Sequence, residues 1–156
     1  MKVILLTVGG AKERWLKIFL DEYVKKIGFI IEFAVEQLKK KNLARTSALQ
    51  KKKMESEALL SYFRESDYVV LFDESGRSMN SFQFSKAVEI SLHKGRQRVI
   101  FVIAGAYGAS EELKARAQEK WSLSPLTFNH HIAQAIAVEQ IYRALTIWKG
   151  IRYHNE

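Results

Sequence analysis

The chain has 156 residues, 47% hydrophobic and 27% charged, which suits one compact domain and is too apolar for a disordered chain. Lys and Arg number 25 against 17 Asp and Glu, a formal charge of +8, so a polyanion is the first partner to expect. Cysteine is absent, which excludes disulfide frameworks, cysteine nucleophiles and thiolate metal sites.

The opening run Val3-Ile4-Leu5-Leu6-Thr7-Val8, closed by Gly9-Gly10, reads as a strand buried on both faces. Residues 12–26 follow as a helix with Trp15, Ile18, Phe19 and Tyr23 on one face. A second strand is expected over 29–35, a helix over 47–64, a third strand over 68–72 and a helix over 81–93. A fourth strand over 99–104 precedes two further helices, near 110–120 and over 132–148. Strands alternating with helices predict an α/β fold on a mainly parallel sheet. With Pro125 as the one proline and no compositional break, residues 1–156 read as a single domain. The longest apolar stretch, 99–107, falls far short of the roughly 20 residues of a membrane span. The chain also opens on a strand-like run rather than a basic leader, so the cytoplasm is the expected compartment.

Basic residues concentrate at Lys39, Lys40, Lys41 and Arg45 and at Lys51, Lys52 and Lys53, with no acid among them. This segment is either a solvated surface or a phosphate-contacting one.

Four segments have the residues for chemistry. Phe72-Asp73-Glu74-Ser75-Gly76 closes the third strand, and in open α/β sheets ligands bind beyond the carboxyl ends of strands. Here Gly76 reads alternatively as a turn glycine at positive φ. Ala104-Gly105-Ala106-Tyr107-Gly108 follows the fourth strand; its glycines allow close backbone approach, yet it matches neither the dinucleotide fingerprint nor a phosphate loop. Residues 121–131 join the last two helices and offer amides, hydroxyls and small apolar groups, enough to hold an adenine and a methionine-like tail. His130 and His131 lack a third ligand at metal spacing, so no metal is expected. In the last helix Glu139 and Arg143 stand four apart in the favoured order for an ion pair. The chain ends on Tyr153-His154, an aromatic beside a titratable ring where termini normally fray.

Taken together, Val8-Gly9, Leu71 to Gly76, Phe101-Val102-Ile103-Ala104-Gly105, Trp121-Ser122-Leu123-Ser124, Glu139 to Ala144 and Tyr153-His154 resemble the small SPOUT-class methyltransferases that modify N3 of a pseudouridine in large-subunit (23S) ribosomal RNA. The resemblance spans the whole chain. It implies a C-terminal part threaded as a trefoil knot and S-adenosylmethionine held at Phe72, Ala104, Gly105, Leu123, Ser124, Pro125, Leu126, Thr127 and Phe128. It also implies His154, Tyr153, Arg143 and Glu139 as the catalytic group, a homodimer that brings one subunit's tail to the other's cofactor, and the assembled ribosome as substrate. Ala104 and Ala106, Asn129 and Arg152 depart from the family pattern, which commonly has Gly-Gly-Pro, Pro-His and a proline before the terminal Tyr-His. An ordinary imidazole pKa of about 6.5 suits His154 to proton transfer. The alternative from a different class is a non-catalytic ribosome- or RNA-binding protein, for which the basic surface would be enough.

Overall fold

The computed structural model describes residues 1–40 and 45–155; Lys41 of the basic segment lies outside them. Its elements are β1 (Lys2–Val8), α1 (Arg14–Gly28), β2 (Phe33–Leu38), α2 (Ala48–Tyr62), β3 (Tyr68–Ser78), α3 (Ser81–Leu92), β4 (Arg98–Ile103), α4 (Glu111–Arg116), β5 (Glu119–Ser122) and α5 (His130–Lys149). The five strands form one sheet in the order β2-β1-β4-β3-β5, every pair parallel. This is the expected α/β fold.

Period-two alternation distributes the central strands between two cores. Val3, Leu5, Val70, Phe72, Val99 and Phe101 pack with α1, α3 and α5, whereas Ile4, Leu6, Val69, Leu71, Ile100 and Val102 pack with Leu59 of α2 and Leu113 of α4. Burial on both faces is why these strands read as continuous apolar runs. Helix starts follow capping chemistry: Ser47 and Asn80 each accept a bond from the amide three residues on, reciprocated by Gln50 and Gln83. Asp67, just before β3, accepts from Arg98 Nε at 2.8 Å and Nη2 at 2.5 Å, a two-pronged clamp between β3 and β4. Burial alone would push the Asp67 carboxyl up, but the bonds from Arg98 and the Arg64 amide outweigh it and hold it below its ordinary value.

Several expectations are corrected. The second strand begins four residues later than read, at Phe33, because Ile30 and Ile31 donate back to Ile27 O and finish α1, leaving Phe29 83% exposed in the turn. Helix α1 buries Leu16, Leu20, Tyr23 and Ile27, while Trp15 and Ile18 face outward at 44% and 57% exposure. The helix expected near 110–120 stops at Arg116, and 119–122 is the edge strand β5. The third strand runs on to Ser78 through an irregularity in which Phe72 and Arg77 both face Trp121. Gly76 is not at positive φ. It is required for another reason: a Cβ there would lie 2.6 Å from the Lys120 carbonyl carbon.

Candidate functional site

Two clusters lie along α5, one at its start and one from its midpoint onward. The first is a pocket of about 360 Å³ beyond the carboxyl ends of β3 and β4. The β3 irregularity brings Asp73 and Glu74 to its wall, the turn after β4 supplies Ala104 to Gly108, and the loop before α5 closes it. Of the residues expected to hold a cofactor, Phe72, Ala104, Gly105, Leu123, Ser124, Leu126, Thr127 and Phe128 all line this pocket; Pro125 is exposed and does not. The bond from Gly108 N to Gly105 O at 2.9 Å closes the turn, and Gly108 takes φ +86° to allow it. Thr127 donates to Glu74 Oε2 at 3.1 Å, tying the closing loop to the β3 irregularity.

Asp73 and Glu74 make the pocket's carboxylate side in an otherwise basic chain. Asp73 Oδ2 is buried without a hydrogen-bond partner, its nearest cation being Lys114 at 3.8 Å. Behind the opposite wall Glu55, with only 8% of its side chain exposed, faces Gly105 so closely that a Cβ at position 105 would fall 1.6 Å from its Oε2. Glu55 is also held by Lys40 at 3.5 Å. His130 donates from Nε2 to Val8 O at 3.0 Å, stapling the start of α5 to the end of β1. Burial is the main reason its pKa lies below that of an ordinary imidazole, and His131 adds to the shift; the Val8 bond opposes it. Asn129 caps α5 by accepting from His131 N at 2.9 Å, so this departure from the family pattern still starts a helix.

The second cluster gathers the four residues expected to be catalytic. Arg143 donates from Nη2 to Glu139 Oε1 at 2.6 Å and lies 3.1 Å through Nη1 from His154 Nδ1. Tyr153 donates to Glu139 Oε1 at 3.0 Å and is bonded to Tyr23 of α1 at 2.9 Å between hydroxyls. Its ring packs on Tyr142 and under the Arg143 guanidinium. The tail is therefore ordered by contacts, not frayed. Burial, then the bonds to Tyr23 and Glu139, push the Tyr153 hydroxyl well above its ordinary pKa, so it remains a proton donor. Guanidinium has no acceptor, so His154 Nδ1 must accept and the ring hydrogen resides on Nε2. The Glu139 bond likewise keeps Arg143 firmly cationic.

Tyr23 and Phe82, whose ring stands edge-on to His154, were not anticipated, and neither was Glu55. Among the described residues no group of three His, Cys, Asp or Glu is placed to hold a metal, and no helix is long and apolar enough to cross a membrane.

A pocket at the carboxyl edge of a parallel sheet, walled by backbone and apolar groups with one acidic side, defines an α/β protein with a small-ligand site. Comparison with known proteins agrees. A family model described as "Predicted SPOUT methyltransferase" matches residues 1–154, and the chain belongs to that family. It is 49% identical over 155 residues, 99% of either chain, to "Ribosomal RNA large subunit methyltransferase H" of Bdellovibrio bacteriovorus. It is 38% and 34% identical, over the whole of both chains, to proteins of the same name from Parabacteroides distasonis and Flavobacterium johnsoniae.

Proposed function

We propose that the chain methylates N3 of a pseudouridine in large-subunit (23S) ribosomal RNA with S-adenosylmethionine, acting on the assembled ribosome in the cytoplasm as a homodimer of single 1–156 domains. The observation that carries this reading is the pocket, in which the residues expected from the family resemblance converge from three separate segments.

The pocket's chemistry fits the cofactor. Phe72, Leu123 and Phe128 offer apolar walls for an adenosyl body, the backbone of Ala104 and Gly105 offers polar groups without charge, and the acidic side formed by Asp73 and Glu74 would suit the cationic part. When bound, S-adenosylmethionine supplies a methyl group on a positively charged sulfur, open to a ring nitrogen. The catalytic demand on the protein is alignment and control of charge. Arg143 meets the negative charge that grows on the pyrimidine ring as N3 loses its proton to solvent. His154, with its hydrogen on Nε2, donates to a ring carbonyl that shares this charge, and Tyr153, whose one hydroxyl hydrogen goes to Glu139, holds the tail in place. Glu139 orients Arg143 and Tyr153, and Arg143 in turn orients His154.

Arg143 is 13 residues along α5 from His130, about 20 Å at helical rise, a separation that supports a homodimer in which a second copy brings its tail to the pocket. The outward Trp15 and Ile18 of α1 and Ile132 of α5, 42–57% exposed, offer an apolar face for that copy.

Two measurements test the reading. Calorimetry should show binding of S-adenosylmethionine and of its demethylated product; binding of a nicotinamide dinucleotide in their place overturns it. Mass spectrometry of ribosomal RNA from cells lacking this protein should show the loss of one methylpseudouridine. Unchanged RNA would leave the non-catalytic binding protein as the better account.

A further inference from the structure

Tyr107 is a large aromatic residue held outside the core. It stands third in the turn closed by the Gly108 to Gly105 bond, lines the mouth of the pocket and keeps 41% of its surface exposed. From α2, Lys51 brings its ammonium 5.4 Å from the ring centre. Lys51 and its neighbours Lys52 and Lys53 have no carboxylate partner among the described residues, whereas Lys40 is engaged by Glu55. The turn thus presents an aromatic face at the pocket beside the unneutralised Lys51.

We propose that Tyr107 is a stacking platform for an unpaired base of the substrate RNA, next to the nucleotide being methylated, and that Lys51 holds an adjoining phosphate. The inference rests on the ribosomal RNA reading above and adds the residues that grip the strand.

The chemistry favours RNA in a single-stranded loop. Unpaired bases are recognised by stacking on aromatic side chains, which a paired helix denies them, and lysines beside the ring neutralise the backbone without reading sequence. The turn matters here because its Gly108 N to Gly105 O bond holds the backbone that bears Tyr107, so less chain order need be imposed on binding. An aromatic serving only to cover Lys51 would not need a place on the lip of the pocket.

The test uses the full chain and ribosomes from cells lacking the modification. Tyr107→Ala should raise KM for ribosomes by about 5- to 150-fold, the range expected when one base loses its stacking partner. Tyr107→Trp should stay near wild type, and the cofactor affinity of both variants, measured by calorimetry, should change less than about twofold. Lys51→Ala should raise KM and flatten its dependence on log salt by about 0.7, the effect of one phosphate no longer neutralised. Unchanged KM in Tyr107→Ala, or an equal rise in Tyr107→Trp, overturns the proposal. So does a fall in cofactor affinity that accounts for the missing activity, which would assign Tyr107 to the cofactor. A wild-type protein that leaves these ribosomes unmethylated refutes the parent reading instead.

Discussion

Arg143 holds His154 by Nδ1 while holding Glu139 with its other terminal nitrogen, so one guanidinium sets both the direction and the tautomer of the terminal imidazole. Lysine has no such fork. Arg143→Lys should therefore lower kcat for methyl transfer at least tenfold while cofactor affinity by calorimetry stays within about twofold. His154→Ala separates two roles for the ring. Removal of a donor to the reacting base shows in kcat, whereas removal of a mere RNA contact is overcome by raising ribosome concentration.

Gly105→Ala should damage the pocket from behind. The added Cβ meets Glu55 Oε2, and the buried carboxylate must swing away or displace the turn. Overpacking of this sort costs about 1–3 kcal/mol. Thermal melting and cofactor titration should both register it. Adding Glu55→Ala to the same chain should recover most of the drop in melting temperature, and failure to do so would place the strain elsewhere.

The clamp between Asp67 and Arg98 is set deep enough to matter for stability. Asp67 is 2% exposed, and Asp67→Asn leaves the Arg98 cation without its counter-charge, a loss of about 3–5 kcal/mol for a buried pair broken on one side. Urea unfolding should show the midpoint falling at constant slope.

Acid should weaken the fold through His130. Its folded pKa lies below the ordinary 6.5, so the unfolded chain takes up a proton that the native chain resists. The contribution is constant above about pH 6.5, declines as pH falls below it, and is fully lost beneath the folded value. Comparing wild type with His130→Asn between pH 8 and 5 by chemical denaturation should show the gap narrowing on the acid side.

Much of this architecture can be read from the residues, and the gaps have physical causes. β1, residues 68–72 of β3, and β4 are legible because both their faces are covered, so nearly every residue is apolar. β5 is not, since Glu119 and Lys120 are only partly buried or exposed and only Trp121 and Ser122 reach the core. In α1 the stripe through Trp15 and Ile18 looks as apolar as the one that is buried; what decides between them is the sheet's position, which local sequence does not encode. The pocket loops are marked by strand ends and glycines. By contrast, the contacts of Glu55 with Gly105 and of Tyr23 with Tyr153 join residues 50 and 130 positions apart, and no local pattern announces them.

The length of α5 has a genetic consequence. His130 and Arg143 stand about 20 Å apart on one rod, and in the proposed homodimer, where one subunit's tail meets the other's pocket, a defect in the pocket and a defect in the tail would fall in different halves of a shared centre. Two inactive variants, one altered at Gly105 and one at Arg143, should then rescue each other once subunits are exchanged. Random reassortment makes half of the dimers hybrids, each with one whole centre, so about a quarter of wild-type activity should return. Centres built within single chains would return none.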